Sequence, residues 1–150
     1  MVYDFANNIE NSTREDVITV LFMDVNDFNG DIVEKFLNIP EFSKEVKDFL
    51  DKTPKEEALG SVQFVILPKI RRIIACAYVK DIWKIDKNTL EYDVEALEMC
   101  LLTLKRKIRC PIAMIAPEAD TPEIGSQLSY KILDKVKEIL NDKEITVYFS

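Results

Sequence analysis

Two aromatic residues and a lysine stand at the end of a buried segment, where together they could bind a nucleotide. Ile73–Val79 (IIACAYV) is apolar and rich in β-branched residues, which predicts a strand. Tyr78 and Trp83 could stack on a base or a ribose, and Lys80 could offset a phosphate charge. The same rings could equally cover an edge of the sheet, and a lone exposed lysine is usually a solubilising charge.

Three carboxylates cluster after a second apolar segment. Glu118, Asp120 and Glu123 follow Cys110–Pro117 (CPIAMIAP), and carboxylate oxygens are ligands that Mg²⁺ and Ca²⁺ prefer. Acidic residues are also common in the first turn of a helix, where they interact favourably with its dipole. Because a helix is predicted to begin here, we favour the helix-capping interpretation and predict no metal site.

The chain lacks residues that common nucleotide-binding and catalytic motifs need. Its three glycines, Gly30, Gly60 and Gly125, are isolated, whereas phosphate loops and dinucleotide fingerprints need glycines in G-x-G or G-K-[ST] patterns. The chain has no histidine, the commonest general base and metal ligand. No nucleophile stands beside an identifiable base. We therefore predict no cofactor and favour a binding protein over an enzyme.

Length and composition predict one soluble domain spanning residues 1–150. Apolar residues make up 47% and charged residues 31% of the chain, as in globular proteins. The net charge of −7 argues against binding to nucleic acid or an anionic membrane, and no apolar run approaches the roughly 20 residues that span a bilayer. Cys76, Cys100 and Cys110 lie in apolar surroundings, which predicts reduced, buried thiols in a cytoplasmic protein.

Alternating apolar and amphipathic segments predict an α/β fold with three layers, α/β/α, around a mixed sheet. Val17–Val25 is almost entirely apolar, so we expect a central strand buried on both faces. The predicted strands are Val2–Phe5, Val17–Val25, Ser61–Leu67, Ile73–Val79, Cys110–Pro117 and Ile145–Phe149. The predicted helices are Asp31–Leu37, Glu41–Leu50, Leu90–Ile108 and Pro122–Leu140, with a charged loop at Lys52–Ala58.

The two long helices carry recognisable start signals. Apolar residues recur every three or four positions from Leu90 to Ile108, which predicts an amphipathic helix. Asn88, with Glu91 three residues later, is a variant of the capping box. Thr121 is the predicted N-cap of the second helix, with Pro122 in the first helical position.

Several short strings occur in a characteristic order along the chain. Val25-Asn26 ends the predicted central strand, and Asn29-Gly30-Asp31 leads into the first helix. Further along come Ile39-Pro40-Glu41-Phe42, Leu59-Gly60-Ser61-Val62-Gln63-Phe64, Tyr92-Asp93 with Glu95-Ala96-Leu97, and the strand Pro111–Pro117. In order and spacing, these strings resemble the macro domain, the ADP-ribose-binding α/β/α module, and in particular its compact bacterial and phage members. The resemblance covers almost the whole chain and implies a macro-domain-like fold.

The resemblance implies a ligand site at the carboxyl ends of the strands, where open α/β sheets bind ligands. It places polar groups near a ribose at Asn26 and Asn29 and a polar group near the adenine at Asn8. Asn29-Gly30 is also a common turn dipeptide, so the asparagine could simply cap the loop. The ligand-binding residues expected from the sequence are Asn8, Asn26, Asn29, Gly30, Asp31, Tyr78, Lys80 and Trp83.

The chain departs from the family pattern in two loops. The family's run of glycines is shortened to Asp27-Phe28-Asn29-Gly30, and the second phosphate loop, Ala116–Glu123, has three carboxylates and no glycine. A carboxylate about 5 Å from a phosphate charge repels it by roughly 3 kcal/mol at an effective dielectric constant of about 20. A helix N-terminus returns only about 0.3–1 kcal/mol. The departures therefore predict a remodelled pocket.

Three functional hypotheses follow. The first is a non-catalytic module that binds an ADP-ribose-related or NAD-derived nucleotide, with a role in phage–host conflict such as sequestering an NAD-derived signal. The second is a protein-interaction or inhibitor domain whose acidic loops meet a partner with a basic surface. The third is a hydrolase of ADP-ribosyl or ADP-ribose-phosphate groups that uses Asp27 or Asp31.

Overall fold

A six-stranded sheet forms the centre of the protein. The computed structural model describes residues 1–4, 17–26, 31–81, 93–115 and 124–148, with the backbone alone for residues 31–32 and 124–130. The strands are β1 (Val2–Asp4), β2 (Ile18–Asp24), β3 (Val62–Leu67), β4 (Arg72–Lys80), β5 (Ile112–Ile115) and β6 (Ile145–Tyr148). The helices are α1 (Asp31–Leu37), α2 (Pro40–Lys52), α3 (Lys55–Ala58), α4 (Val94–Lys107) and α5 (Ile124–Ile139).

The sheet is mixed, as the sequence predicts. Its strand order is β1-β6-β5-β2-β4-β3. Among the strands that the structure describes, four pairs are parallel and the β3–β4 hairpin is antiparallel. The predicted central strand is confirmed, because β2 lies between β5 and β4 and is buried from Thr19 to Asp24. Such apolar strands need helices on both faces of the sheet.

Helices on both faces of the sheet provide the predicted three layers. On one face, α4 and α5 share an apolar core with alternate strand residues such as Val20 and Ala75. On the other face, α1 and α2 contribute Phe36 and Phe42 to a core that includes Leu21. The two cores separate because successive side chains of a strand point to opposite faces.

Two local predictions differ from the structure. The charged segment expected as a loop contains the one-turn helix α3, which begins directly after Pro54; four residues are too few for a periodic pattern. Helix α4 begins at Val94, and Asp93 caps it by accepting a hydrogen bond from Ala96 N at 2.9 Å. Asp93 therefore takes the capping role predicted for Asn88. The predicted signals at Asn88, Glu91, Thr121 and Pro122 lie outside the described residues.

The helices in the described ranges are too short or too polar to cross a membrane. The three cysteines carry no disulfide bond, and they differ in exposure. The predicted burial is confirmed for Cys76 and Cys100 and is wrong for Cys110, which is partly exposed because it lies in the connection between α4 and β5. Desolvation raises the pKa of the Cys76 thiol strongly and that of the Cys100 thiol to about 12, so neither forms the reactive thiolate at neutral pH.

This difference predicts the reactivity of the folded protein toward a thiol reagent. At about pH 8, we expect an aromatic disulfide to modify Cys110 alone, and to modify all three cysteines only after unfolding in guanidinium chloride. Absorbance of the released thiolate measures the number of reacted groups, and peptide mass spectrometry locates them. Rapid modification of Cys76 or Cys100 under native conditions would contradict the burial described here.

Candidate ligand-binding site

The carboxyl ends of β2 and β4 bring three polar residues together. Asp24 is the last residue of β2, Asn26 follows two positions later, and Asp81 comes directly after β4. A bulge between Met23 and Asp24 shifts the register so that Asp24 pairs with Lys80. The backbone N–H of Val25 then donates to the carbonyl oxygen of Lys80 at 3.0 Å. The parallel strands thus bring Asn26 and Asp81, which are 55 positions apart in sequence, together at one edge of the sheet.

Two buried carboxylates fix the Asn26 side chain. Its backbone N–H donates to Asp24 Oδ1 at 2.7 Å, and its side-chain Nδ2 donates to Asp24 Oδ1 at 3.1 Å and to Asp81 Oδ1 at 2.6 Å. Asp24 is 1% exposed and Asp81 is 5% exposed. Because ionised carboxylates accept and do not donate, the amide nitrogen must face them. The orientation of the Asn26 amide is therefore set.

The carbonyl oxygen of the same amide is left without a partner. Asn26 Oδ1 is buried from solvent and accepts no hydrogen bond from the described part of the chain. A buried acceptor without a donor typically costs about 1–3 kcal/mol. Most buried polar atoms in folded proteins are satisfied, so the described part of the chain leaves this oxygen available to one further hydrogen-bond donor.

The electrostatics of the cluster select what can approach it. Asp24 and Asp81 accept from one NH₂ group, so the two accepting oxygens are less than about 6 Å apart. Close to the two carboxylates, neutral donors such as hydroxyl groups are favoured over phosphate oxygens, and Lys80 adds one positive charge at the same edge. Within the described ranges, no group of three or more His, Cys, Asp or Glu side chains could hold a metal ion.

Comparison with known proteins identifies the fold. No protein-family model and no curated protein matches the chain. Among solved structures, the chain is similar to a protein from Bacteroides thetaiotaomicron (TM-score 0.74, 14% identity, 99% of this chain and 98% of that chain). It is also similar to the macrodomain of Mycobacterium tuberculosis DarG, with a TM-score of 0.70 and 15% identity over 98% of this chain and 95% of that chain. The macrodomain of Thermus aquaticus DarG is similar as well, with a TM-score of 0.68 and 14% identity over 98% of this chain and 96% of that chain.

The chain has the macrodomain fold. The resemblance inferred from short strings is thereby confirmed at the level of architecture, including the α/β class and the mixed sheet. The sequence identities are low, so these likenesses establish the fold, and the chemistry of the site rests on this chain's own residues.

One predicted site residue, Tyr78, lies away from the candidate site. Tyr78 is fully buried, its ring stacks on Phe49 of α2 with centroids 5.3 Å apart, and its hydroxyl donates to Gln63 Oε1 at 2.7 Å. The residue points toward α2 because it shares a face of β4 with Ile74 and Cys76. Its ring cannot stack on a ligand, so the expected stacking role is replaced by a packing role.

The other predicted site residues divide into two groups. Lys80, half-buried, ends β4 at the same sheet edge as Asn26, and Asp31 is the first residue of α1. Their proposed roles toward a ligand stay predictions. Asn8, Asn29, Gly30 and Trp83 lie outside the described residues, as do Asp27 and the carboxylates Glu118, Asp120 and Glu123.

Asp24 and Asp81 were missed as site residues by the sequence analysis. A signal was present for each: Asp24 lies within the buried, mostly apolar run Thr19–Val25, and Asp81 follows the buried part of β4 after a single residue, Lys80. An ionised side chain in such a position is seldom fully buried unless it is paired. The sequence did not reveal that the two would share one asparagine, because that depends on the pairing of β2 with β4.

Proposed function

We propose that this macrodomain binds ADP-ribose or a related NAD-derived nucleotide at the carboxyl ends of β2 and β4. The observation that carries the proposal is the buried Asn26 Oδ1, which has no donor in the described part of the chain while two carboxylates hold its amide in place. In the proposed complex, this oxygen accepts a hydrogen bond from a ribose hydroxyl. Preorganisation of this kind lowers the entropic cost of binding.

The charge of the cluster indicates which end of the ligand lies there. A phosphate about 5 Å from either aspartate would be repelled by roughly 3 kcal/mol at an effective dielectric constant of about 20. A ribose is neutral and rich in donors, so it meets no such penalty and can also donate to the carboxylates. We therefore place the second ribose of ADP-ribose, the one that ADP lacks, at Asn26. The diphosphate then lies farther along the sheet edge.

Lys80 is the cation that we assign to the diphosphate. It ends β4 directly across from Asp24, and its backbone carbonyl fixes Val25 beside the site. An ammonium group on a flexible stem can reach a phosphate while its backbone stays within the strand. In the proposed complex, the ammonium group of Lys80 extends past the neighbouring aspartates toward the diphosphate, while the ribose lies beside the aspartates.

We further propose that binding occurs without turnover and serves to sequester an NAD-derived signal, with phage–host conflict as the biological setting. The shortened loop after Asn26 and the resemblance to compact bacterial and phage members support this assignment. Mass spectrometry of the ligand after prolonged incubation tests it, because a binding protein returns the ligand with its mass unchanged.

Calorimetric titration of two matched ligands tests the proposed site. We expect wild-type protein to bind ADP-ribose with micromolar affinity and to bind ADP, which lacks the second ribose, more weakly. Asn26→Ala should weaken ADP-ribose binding about tenfold or more while changing ADP binding little, because only the ribose uses the Asn26 oxygen. Asn38→Ala, which changes an exposed asparagine after α1, is the matched control and should bind like wild type.

Two outcomes would overturn the proposal. Equal losses for ADP-ribose and ADP in Asn26→Ala would place the ribose elsewhere. No heat with any nucleotide, together with no co-purified nucleotide in native mass spectrometry, would favour the protein-interaction hypothesis. The hydrolase hypothesis requires turnover of ADP-ribosylated substrates, and Asp31→Asn should abolish that turnover if α1 supplies the catalytic carboxylate.

A further inference from the structure

An apolar groove lies at the opposite edge of the sheet from Asn26, at the amino ends of β2 and β4. Ile18, Ile73 and Ile66 form a row across β2, β4 and β3, because Ile73 is the register partner of both others. The row borders a groove of about 350 Å³ whose lining also includes Pro68 and Cys110. Since β2 is seven residues long, the groove and Asn26 are about 20 Å apart.

The groove exists because the layer formed by α4 and α5 does not cover the amino ends of β2 and β4. Val62 and Phe64, earlier on the same face of β3, pack against the core beneath α4 and α5. Lys107, the last residue of α4, lies over the Phe64 ring at 5.8 Å. Beyond this point Ile66 is 69% exposed and Ile73 is 38% exposed. Exposed β-branched residues side by side on a sheet face are a typical feature of an interaction surface.

The rim of the groove is basic in a chain of net charge −7. Arg71 lines it from the turn between β3 and β4. The backbone of Arg72 borders it as well, but the Arg72 guanidinium lies on the other face of the sheet, 5.9 Å from the centroid of the Phe36 ring. Two further cations are exposed near it: Lys107 lies over the Phe64 ring, and Arg109 directly precedes Cys110, which lines the groove. Among the described residues that line the groove, none is acidic. The charge of this surface is therefore opposite to that of the protein as a whole.

The backbone at Arg71 provides a second sign of a specialised surface. Arg71 has φ of 52°, in the left-handed region, and it is the only described non-glycine residue with positive φ. Glycine adopts this conformation without strain. Strained positions of this kind cluster at functional sites, where the side chain has a use. Here that side chain is a guanidinium group on the rim of the groove.

We propose that this groove binds an extended acidic segment of a partner protein. An apolar side chain of the segment enters the groove against Ile66 and Ile73, and flanking carboxylates lie on the basic rim. β3 is an edge strand of the sheet, so the segment can also add backbone hydrogen bonds beside it. The partner surface is thus acidic, and this site is independent of the proposed nucleotide site.

Fluorescence anisotropy with designed peptides tests the groove. The probe is a fluorescein-labelled peptide with Leu-Phe between two Asp-Glu pairs; one control peptide has lysines in place of the acids, and another has alanines in place of Leu-Phe. We expect the acidic apolar peptide to bind and both controls to bind at least about tenfold more weakly. Bound peptide should also slow the modification of Cys110, which lines the groove.

Paired variants separate loss of the surface from loss of the fold. Ile66→Ser and Arg71→Gly should each weaken peptide binding about tenfold. Arg71→Gly also relieves the left-handed strain, so its melting temperature should equal or exceed that of wild type. Leu102→Ser on α4 and Lys137→Ala on α5 make matched changes at exposed positions away from the groove and should bind like wild type.

The results distinguish this proposal from the nucleotide site and from other occupants. ADP-ribose titrations of Ile66→Ser and Arg71→Gly should match wild type, whatever the outcome at Asn26. Equal affinity for the acidic and lysine peptides, or unchanged affinity in both groove variants, would overturn the proposal. A wild-type dimer in light scattering that Ile66→Ser converts to a monomer would also overturn it, because a second copy would then occupy the groove.

Discussion

The Tyr78→Ala variant is expected to unfold with a free energy about 3–5 kcal/mol lower than that of wild type. The substitution removes a fully buried ring that stacks on Phe49 at 5.3 Å between α2 and the sheet. It also removes the hydroxyl that donates to Gln63 Oε1 at 2.7 Å. Gln63 in turn donates to the backbone carbonyl of Glu45 at 3.0 Å, so the ring and the amide together join α2 to the sheet.

Tyr78→Phe is the conservative partner of this variant. It keeps the ring and loses one hydrogen bond, so we expect a loss of only about 1 kcal/mol. Urea denaturation followed by tyrosine and tryptophan fluorescence measures both free energies, and titration with ADP-ribose measures binding. A packing role predicts that Tyr78→Phe binds ADP-ribose like wild type. A stable Tyr78→Ala protein that has lost nucleotide binding would restore the stacking role predicted from the sequence.

Tyr78 illustrates why position at a strand end does not define a site residue. From Ile74 to Val79 every residue of β4 is buried, with alternate side chains in different cores. Sequence identifies a strand of this kind because both of its faces are apolar. It does not assign each residue to a face, since that requires knowing which helices cover which side. Tyr78 is buried because α1 and α2 cover the face of the sheet to which its side chain points.

The string Leu59–Phe64, which helped to carry the resemblance, has a structural role here. Gly60 has φ of 89°, and its N–H donates to Tyr78 O at 2.7 Å, which extends the pairing of β3 with β4. A side chain at Gly60 would also meet Met99 Sδ at 3.2 Å. Ser61 Oγ donates to Ala58 O at 2.6 Å and closes the turn after α3. Strings of this kind therefore predict a fold more securely than a ligand.

The long elements were predictable because their apolar patterns are long. β2, β4 and α4 each contain enough apolar residues for a period to be recognised. The candidate site is different, because it consists of two aspartates and one asparagine whose roles depend on a bulge and on the β2–β4 register. The resemblance predicted Asn26 as a site residue. Its partners Asp24 and Asp81 could be identified only from the structure, in which the ends of β2 and β4 lie side by side.

Asn26→Asp is the substitution for which the site geometry predicts a large loss of stability near neutral pH. It replaces the donor Nδ2, which lies 2.6 Å from Asp81 Oδ1 and 3.1 Å from Asp24 Oδ1, with a carboxylate oxygen. Two hydrogen bonds become repulsive contacts among three carboxylates. Like charges about 4 Å apart repel by about 4 kcal/mol at an effective dielectric constant of about 20. We expect a net loss of about 3–5 kcal/mol at neutral pH, a large part of the stability of an ordinary domain.

The loss should depend on pH with a defined sign. The neighbouring carboxylates raise the pKa of the introduced carboxyl group in the folded state above its value in the unfolded chain. The penalty is therefore absent below the unfolded pKa of about 4, grows as the pH rises above it, and is complete once the pH exceeds the folded pKa. In acid, the protonated group can again donate a hydrogen bond to one of the aspartates.

Urea denaturation from about pH 4 to pH 8 measures this dependence. The free energy of unfolding is compared with that of wild type at each pH, so that the other titrating groups cancel. Asn38→Asp makes the same chemical change at an exposed position and should track wild type throughout. Asn26→Ala removes the amide without adding a charge, so the difference between the two Asn26 variants isolates the electrostatic part. An Asn26→Asp curve that coincides with that of Asn38→Asp would mean that Asp24 and Asp81 do not enclose Asn26, and the proposed ribose site would lose its foundation.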